Sequence, residues 1–272
     1  MTKAAPRVLL LGAGRMGLAL LSGWLARRAV AARPIVLEPH PAPALTDLAA
    51  QGHIALNPAS ASSPVDLAVI AVKPQLFSDA VPGLRAYLAP ATAVMSIAAG
   101  KSLGDLAALL GAERPLIRVM PNTPAAIGAG ISVACAAPQV DSSVRAQCTG
   151  LLAAVGEVEW VDDERLMDAV TAVSGSGPAY VFYFTECLAE AGRAAGLERG
   201  LAERLARATV TGAGALLSAR ADAPAALRAE VTSPGGTTQA ALEILLRGDE
   251  FARLLKDAVE AARRRGVELS QG

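Results

Sequence analysis

Short apolar segments recur through the first 160 residues, separated by stretches that are long enough for helices. The segments lie at residues 8–12, 34–38, 66–72, 92–99 and 115–120, with two further candidates at 131–135 and 157–161. Because they are apolar at consecutive positions, both faces of each strand would be buried, as in a parallel sheet covered by helices. Ser102 followed by Asp105 is typical of a helix start between two such strands. The pattern predicts an α/β domain on a parallel sheet.

The pattern changes near residue 161, where longer segments with a helical pattern follow. Residues 179–195 are interrupted mainly by Glu186, Glu190 and Arg193, and further helices are predicted at 200–218, 224–231, 237–247 and 249–265. Fourteen of the 17 prolines precede residue 161, whereas charged residues rise from 21 of the first 160 residues to 29 of the last 112. Two domains are therefore predicted, an α/β domain at residues 1–161 and an all-helical domain at 162–272.

Composition and charge exclude several classes of protein. With 53% hydrophobic and 18% charged residues the chain is too apolar to remain disordered, yet no uncharged apolar run reaches the ~18 residues of a membrane span. The 25 basic and 25 acidic residues balance, so no net charge attracts nucleic acid or a membrane surface. The apolar stretch at 8–12 is too short for a secretory signal. We expect a soluble cytoplasmic protein that binds neither nucleic acid nor membranes.

The three cysteines, Cys135, Cys148 and Cys187, have spacings that suit neither a metal site nor a Cys-x-x-Cys pair. An odd number of widely spaced cysteines is typical of reduced thiols that fill small sites in the core. Neither a disulfide nor a bound metal is expected.

The predicted helical domain carries more apolar surface than it can cover by itself. A domain of roughly 110 residues leaves a large share of its surface exposed, and large exposed apolar patches usually mark an interface. A homodimer formed through the C-terminal helices is the expected consequence.

A glycine-rich loop joins the first predicted strand to the first helix. The sequence Gly12-Ala13-Gly14-Arg15-Met16-Gly17 has the form G-x-G-x-x-G between these two elements. Gly12 permits a tight turn, Gly14 lets backbone N–H groups approach a pyrophosphate, and Gly17 allows close packing of the helix on the sheet. The setting predicts a Rossmann-type dinucleotide-binding domain. The alternative is that the same sequence forms only a tight strand-to-helix turn in an alanine- and glycine-rich chain.

Glu38 bears on the choice of dinucleotide. It ends the second predicted strand, 21 residues after Gly17, where an acidic residue in such folds accepts a hydrogen bond from the adenosine ribose 2′-hydroxyl. A carboxylate here would repel a 2′-phosphate and so favours NADH. The loop at 39–41 could turn the carboxylate aside, however, and Arg15 could offer a countercharge. The predicted cofactor is therefore NADPH or NADH.

Four further segments narrow the interpretation. They are Ala71-Val72-Lys73-Pro74-Gln75, Arg-Val-Met-Pro-Asn-Thr-Pro at 118–124, Val-Ser-Gly-Ser-Gly-Pro-Ala-Tyr at 173–180, and Val-Thr-Ser-Pro-Gly-Gly-Thr-Thr at 231–238. With the glycine loop, their order and spacing resemble the pyrroline-5-carboxylate reductase family, whose members make proline by reducing a cyclic imine with NAD(P)H. The resemblance covers nearly the whole chain. It implies a Rossmann-type domain, a helical domain that interlocks with a partner subunit, and a decamer of five dimers as the larger assembly.

The resemblance and the positions of the motifs assign further cofactor contacts. One group follows a strand at its carboxyl end, where ligands bind in open α/β sheets, and consists of Ala71, Val72, Lys73 and Pro74. Asn57 resembles the family's asparagine near the adenine ribose. Ala98 and Ala99 are small enough for a nicotinamide ring to approach the backbone. The amide of Asn122 could meet the nicotinamide, or the prolines beside it could only end the strand.

Residues 231–238 are predicted to hold the carboxylate of the substrate. Gly235 and Gly236 free the backbone before a helix that starts near Thr237, so N–H groups and the helix dipole can receive an anion. The alternative is an ordinary helix cap by Ser233 or Thr237. By the resemblance, Thr238 hydrogen-bonds the ring nitrogen and is the catalytic residue, and the substrate-binding residues are Val231, Ser233, Gly235, Gly236, Thr237, Thr238 and Ser176.

Ser176 would line the same cleft as part of the run 174–177. The structural alternative for this run is a cap on a helix that begins at Pro178.

The scarcity of acid–base residues suits imine reduction. The two histidines, His40 and His53, fall in the part expected for adenosine, and no catalytic dyad is recognisable. A cyclic imine that is bound in its protonated form needs no strong acid, so proximity and orientation can carry the reaction. The predicted reaction is hydride transfer from NAD(P)H to the C=N carbon of 1-pyrroline-5-carboxylate, which gives L-proline.

Two other functions remain open. A β-hydroxyacid-dehydrogenase-like enzyme or another imine reductase would have the same two-domain plan, and the former calls for a lysine base in the helical domain, where only Lys256 is present. A non-catalytic NAD(P)-binding redox regulator would explain the glycine loop but would assign no role to residues 231–238.

Overall fold

The computed structural model describes residues 5–31, 33–61 and 63–270. The chain forms two compact units: the first runs to Ser176 and includes the chain again from Ala262, and the second is Gly177–Ala261. The first is α/β and the second is helical, which confirms the predicted fold class. Within the described ranges, none of the helices combines the length and the apolarity that crossing a bilayer requires.

The strands of the first unit form one sheet, which has eight strands within the described residues. They are β1 Val8–Leu11, β2 Ile35–Leu37, β3 Ala55–Leu56, β4 Leu67–Ile70, β5 Ala93–Ser96, β6 Leu116–Met120, β7 Gly130–Ala136 and β8 Gly156–Trp160. Their order is β3-β2-β1-β4-β5-β6-β7-β8. All seven predicted strands are present. The sequence pattern missed β3, because the strand has only two residues and the apolar run that contains it, residues 54–56, is too short to predict a strand.

The prediction of a parallel sheet is correct for β1 to β6 but not for the step to β7. Strand β7 pairs antiparallel with β6 and parallel with β8. A parallel crossover needs a dozen or more residues, usually a helix. Between β6 and β7 the chain has only residues 121–129, which include the short 3-10 helix Thr123–Ile127. The short connection therefore forces the chain to reverse.

The helices of the first unit are short and follow the strands. They are α1 Arg15–Arg27, α2 Pro43–Ala50, α3 Phe77–Ala80, α4 Leu103–Leu110, α5 Ser142–Leu152 and α6 Met167–Val170. The predicted start at Ser102 is confirmed: its hydroxyl accepts the Asp105 N–H at 3.0 Å, and the Asp105 carboxylate accepts the Ser102 N–H at 2.6 Å. The two bonds satisfy two of the donors that the helix start would otherwise leave unpaired.

The core of the first unit lies on both faces of the sheet. Leu10 of β1 belongs to a cluster with Trp24 of α1. The preceding residue, Leu9, belongs to a second cluster with Phe77 and Leu106. Alternate residues of a strand point to opposite faces. Burial on both faces therefore explains why the strand sequences are apolar at consecutive positions.

The cysteines occupy two kinds of environment. Cys135 and Cys148 are buried, and burial raises the pKa of the Cys148 thiol to about 12 and also raises the pKa of Cys135. Such thiols stay protonated and unreactive at neutral pH. The prediction of core sites is wrong for Cys187, which is exposed on the surface of the chain. Its neighbours on the helix are themselves exposed, so no core exists there for it to fill.

The second unit is built from the five helices that the sequence predicted. They are α7 Gly177–Ala194, α8 Arg199–Ala219, α9 Pro224–Glu230, α10 Thr237–Leu245 and α11 Glu250–Ser270, the last of which continues into the first unit. Its buried apolar side chains, among the residues described, are Ala189, Ala202 and Ala206. By contrast, Phe182 is 62% exposed and Leu254 is 65% exposed. The helices therefore meet through small residues and leave their large apolar side chains uncovered.

A partly buried ion cluster anchors the segment that precedes the second unit. Arg118 of β6 is 7% exposed, and its Nη1 and Nη2 atoms lie 3.1 Å from Glu164 and 3.4 Å from Asp168. Glu164 also accepts the N–H of Leu103 at 2.8 Å. The Arg118 guanidinium thus connects β6 to α6, and the hydrogen bond to Glu164 connects the start of α4 to the same cluster. The sequence pattern did not predict this cluster, because its members are far apart along the chain.

Removing the Arg118 charge should destabilise the protein markedly. In Arg118→Met both carboxylates lose their partner in a partly buried setting, and we expect the free energy of unfolding to fall by about 3 kcal/mol. The matched control is Arg7→Met, whose pair with Asp66 is well exposed at 51% and 40%, and which should cost less than about 1 kcal/mol. Urea unfolding at fixed protein concentration measures both. Equal losses would show that the Arg118 cluster contributes no more than a surface ion pair.

Candidate active site

The carboxyl ends of the parallel strands bring the predicted cofactor residues to one edge of the sheet. Strands β1 to β6 all run the same way. The residues that follow them, in the order β3, β2, β1, β4, β5 and β6, are Asn57, Glu38, Gly12, Ala71, Ala98 and Asn122. This edge is where ligands bind in open α/β sheets. The fold therefore gathers residues that span more than 100 positions of the sequence.

The glycine loop leaves no room for side chains at two of its positions. At Gly12 the φ angle is +88°, and a Cβ atom would lie 3.0 Å from the carbonyl of Ala71. At Gly17 a Cβ atom would lie 2.3 Å from the Gly12 carbonyl oxygen and 3.2 Å from Ala71 Cβ. Gly14 differs, since nothing lies within 4 Å of the position of its Cβ. Gly12 and Gly17 thus serve the packing of α1, whereas Gly14 borders open space.

The start of α1 has the features of an anion site. Gly14 is its N-cap residue, no side chain caps the helix, and its first turn contains no acidic residue. Arg15 is exposed and Met16 is half-buried at the same turn. Uncapped N–H groups and the helix dipole together favour an anion such as a pyrophosphate. The cradle of open space at Gly14 therefore fits the dinucleotide that the motif implies.

The Glu38 side chain is hydrogen-bonded to the glycine loop. Its Oε2 atom accepts the Ala13 N–H at 2.9 Å, and its Oε1 atom accepts the His40 N–H at 3.1 Å. Asn57 holds the backbone of Glu38 from the other side: its Oδ1 atom accepts the Glu38 N–H and its Nδ2 atom donates to the Glu38 carbonyl, both at 2.8 Å. Asn57 has a φ angle of +46°, which asparagine tolerates better than most residues. The side chain of Asn57 is thus already bonded to protein.

The other residues predicted to contact the cofactor lie after β4, β5 and β6, and those predicted for the nicotinamide follow β5 and β6. Val72 and Pro74 are half-buried and Lys73 is exposed, while Ala98 is buried and Ala99 is exposed. Asn122 has one atom already engaged, because its Oδ1 atom accepts the Ile131 N–H at 2.9 Å. Its Nδ2 group remains free to donate to a ligand, and the Oδ1 bond ties the loop after β6 to β7.

The first residues of the serine motif belong to a π-helical turn. Residues Thr171–Gly175 form a π-helix, and Ser176 continues it with helical backbone angles into α7. A Cβ atom at Gly175 would lie 2.3 Å from Met120 Cε, so this turn packs against the end of β6. The Ser174 hydroxyl oxygen is buried and, among the described residues, has no hydrogen-bond partner. Single π turns and unpaired buried polar groups are both frequent at functional sites.

The predicted substrate loop lies in the second unit, between α9 and α10. Gly235 has a φ angle of +71°, and Gly236 is the N-cap residue of α10 without any side-chain cap. Neither Ser233 nor Thr237 therefore caps the helix, and both side chains are exposed. Val231 is 65% exposed and Thr238 is half-buried. The loop thus presents an uncapped helix start flanked by hydroxyl groups.

Two anchors of this loop escaped the sequence patterns. Arg220, just after α8, bonds both carboxylate oxygens of Glu230 at 2.6 and 2.7 Å, and Asp222 at 2.9 Å. The hydrogen bonds to Glu230 raise the pKa of Arg220, and that arginine lowers the pKa of Glu230. Gln239 accepts the Gly235 N–H at 2.7 Å. The i, i+4 spacing of Gly235 and Gln239 could have predicted their hydrogen bond from the sequence. The Arg220–Glu230 pair spans ten residues, and no sequence pattern indicates it.

The comparisons with protein families match both parts of the chain. Residues 164–269 match the family model described as pyrroline-5-carboxylate reductase dimerisation. Residues 7–100 match the model described as NADP oxidoreductase, coenzyme F420-dependent. The first match covers the helices of the second unit, and the second covers the glycine loop and β1 to β5.

Whole-chain comparisons give the same family name. Pyrroline-5-carboxylate reductase of Pseudomonas aeruginosa is 39% identical over 270 residues, which cover 98% of each chain. The enzyme of Synechocystis is 38% identical over 264 residues, 96% of this chain and 97% of the relative. A solved pyrroline-5-carboxylate reductase from Coxiella burnetii has a TM-score of 0.89 at 30% identity, covering 98% of this chain and 99% of that chain.

A second solved structure bears on the cofactor. Plasmodium falciparum pyrroline carboxylate reductase with NADP bound has a TM-score of 0.79 at 27% identity, and covers 97% of this chain and 98% of that chain. The similarity extends over both units in each of these comparisons.

Exchanging single glycines of the loop should separate stability from cofactor binding. In Gly17→Ala the new methyl group overlaps the Gly12 carbonyl, and we expect the free energy of unfolding to fall by about 2 kcal/mol. Gly14→Ala meets no protein atom and should leave stability nearly unchanged, but its methyl group would occupy space next to the uncapped N–H groups. We expect a cofactor dissociation constant at least tenfold higher for Gly14→Ala.

Urea unfolding and calorimetric titration with cofactor measure the two effects. If Gly14→Ala bound cofactor as the wild type does, the open space at Gly14 would not be the pyrophosphate site.

Proposed function

This chain belongs to the pyrroline-5-carboxylate reductase family, and we propose which of its residues hold the cofactor, the substrate and the reacting nitrogen. The protein is an NAD(P)H-dependent oxidoreductase that reduces the C=N bond of 1-pyrroline-5-carboxylate to give L-proline. The bound cofactor supplies the hydride, and the chain supplies the binding, the orientation and the contact to the ring nitrogen.

The observation that carries the substrate assignment is the uncapped start of α10. The left-handed backbone at Gly235 turns the chain so that Gly236 opens the helix without a side-chain cap. The N–H groups of the first turn can then receive the substrate carboxylate, and Ser233 and Thr237 add hydroxyl donors. Val231 supplies an exposed apolar contact for the ring. The Arg220–Glu230 pair fixes the end of α9 and so the entry to this loop.

Thr238 is the proposed contact to the ring nitrogen. In 1-pyrroline-5-carboxylate the carboxylate is attached to the ring carbon next to the nitrogen, so the two groups are only a few bonds apart. A carboxylate held at the helix start therefore places the nitrogen within reach of the first helical turn, whose pitch is about 5.4 Å. Thr238 lies in that turn, is half-buried, and makes no side-chain hydrogen bond to other described residues.

The Thr238 hydroxyl can accept a hydrogen bond from the protonated imine and remain bonded to the amine product. It holds the nitrogen without exchanging a proton with it. No histidine or carboxylate is needed for the addition of hydride to a carbon that is already activated, and orientation supplies the rate enhancement.

The proposed cofactor contacts lie at the edge of the sheet in the first unit. The N–H groups at the start of α1, with the loop from Gly12 to Gly17, hold the pyrophosphate. Residues 71–74 border the ribose next to the nicotinamide, and Ala98, Ala99 and Asn122 border the nicotinamide ring itself. The small side chains after β5 leave the backbone open to a flat ring. Ser176 completes the proposed substrate contacts beside the π turn.

We propose a homodimer formed through the C-terminal helices and a decamer of five such dimers. The support is the exposure of Phe182, Tyr183 and Leu254, each above 60%, in a unit whose buried apolar residues are alanines. Large apolar patches of this kind usually mark an interface. The proposed compartment is the cytoplasm, where thiols such as those of Cys135 and Cys148 stay reduced.

Turnover with the imine tests the function directly. The purified protein, supplied with 1-pyrroline-5-carboxylate, should consume NADH or NADPH and release L-proline in equal amounts, followed by nicotinamide absorbance and by chromatography of the product. A protein that binds cofactor but turns over neither NADH nor NADPH with this imine would contradict the assignment.

Replacement of Thr238 tests its role. Thr238→Val keeps the shape but loses the hydroxyl, and we expect kcat to fall about ten- to a hundredfold, the equivalent of a hydrogen bond to a charged group. The KM for cofactor should stay within about twofold of the wild-type value because the variant does not touch the glycine loop. Thr238→Ser should recover most of the rate. An unchanged kcat in Thr238→Val would remove this hydroxyl from the reaction.

A further inference from the structure

The Glu38 carboxylate is held at both of its oxygen atoms. Oε2 accepts the Ala13 N–H of the glycine loop at 2.9 Å, and Oε1 accepts the His40 N–H at 3.1 Å. The loop after β2 therefore keeps the carboxylate beside the glycine loop and does not turn it away. Each oxygen retains a further lone pair, so Glu38 can accept additional hydrogen bonds while it stays in place.

The backbone at Glu38 is fixed as well. The Asn57 side chain bonds both the N–H and the carbonyl of Glu38 at 2.8 Å. The same strand end is tied to the glycine loop by the Gly12 N–H, which donates to the Leu37 carbonyl at 2.8 Å. A carboxylate that is bonded at both oxygens loses these hydrogen bonds if it moves aside to accommodate a second negative charge.

This arrangement decides between the two forms of the cofactor. The residue at the end of β2, in a fold of this kind, meets the adenosine ribose. A ribose 2′-hydroxyl can donate to the carboxylate, whereas a 2′-phosphate carries only acceptor oxygens and nearly two negative charges at neutral pH. Arg15 is exposed at the start of α1, and an exposed side chain in solvent compensates weakly for such repulsion.

We propose that Glu38 makes this enzyme select NADH over NADPH, and that Asn57 is the positioning residue that holds Glu38 for this purpose. The proposal rests on the cofactor site of the proposed function. It separates this chain from the NADP-bound relative of Plasmodium falciparum, in spite of their common fold.

Calorimetric titration with NADH and NADPH, without imine, tests the selection independently of catalysis. We expect the wild type to bind NADH at least tenfold more tightly than NADPH. Glu38→Gln keeps the size of the side chain but removes its charge, and should bring the two dissociation constants within about threefold. Glu38→Ser removes the obstacle altogether and should bind NADPH at least as tightly as NADH.

The control is Glu113→Gln, which neutralises an exposed glutamate of the same unit that follows α4 and should leave the ratio of the two constants unchanged. A wild type that prefers NADPH, or a Glu38→Gln variant with an unchanged ratio, would overturn the proposal. Binding of NADH without turnover of the imine would instead contradict the proposed function and leave the selection by Glu38 measurable.

The role of Asn57 has a separate test. Asn57→Gly tolerates the positive φ angle and removes only the side-chain bonds to Glu38. We expect the preference for NADH to shrink at least threefold, while the melting temperature with saturating NADH stays close to that of the wild type. An equal loss of affinity for both cofactors, with an unchanged ratio, would show a structural role alone and would remove Asn57 from the proposal.

Discussion

The contact between Gly17 of α1 and Gly12 of the loop is the constraint on which the cofactor half of the structure depends. A Cβ atom at Gly17 would lie 2.3 Å from the Gly12 carbonyl oxygen, so the helix approaches the loop more closely than any side chain allows. Close approach sets the helix start directly over the carboxyl ends of β1 and β4. From there the loop N–H of Ala13 reaches Glu38, and the N–H of Gly12 reaches Leu37. This close contact thus helps to position the N–H groups that we propose bind the pyrophosphate, and the Ala13 N–H that bonds Glu38.

Both proposed anion sites use backbone donors where many enzymes use arginine or lysine. At α1 and at α10 the N-cap residue is a glycine without a side-chain cap, and the helix start is left open. Backbone N–H groups have fixed directions, so such a site discriminates by geometry as well as by charge. Two of the charged groups nearby also position the backbone: Glu38 bonds the loop after β2, and Arg220 bonds Glu230 at the end of α9. An imine that needs no strong acid suits a site of this composition.

The two units obtain their stability in different ways. The first has a sheet with apolar clusters on both faces and an Arg118 ion cluster that joins β6, α4 and α6. The second buries alanines between its helices and exposes Phe182, Tyr183 and Leu254. In the homodimer proposed above, association would bury these exposed side chains. The match of residues 164–269 to the dimerisation model is consistent with such an association.

The sequence by itself determined the fold class, seven strands, the five helices of the second unit, the capping box at Ser102 and the glycine loop, because these depend on local spacing and on apolar periodicity. It also indicated the family, through motifs whose order the chain preserves. Only the tertiary structure decided the reversal at β7, the short β3, the Arg118 cluster and the bonds that hold Glu38 and Asn57. The tertiary structure also decided the π turn at Thr171–Gly175, since this turn packs against Met120, which is distant in the sequence. Apart from the local bond between His40 and Glu38, these features join residues that lie 13 to 61 positions apart, and a pairing over that distance leaves no periodic trace in the sequence.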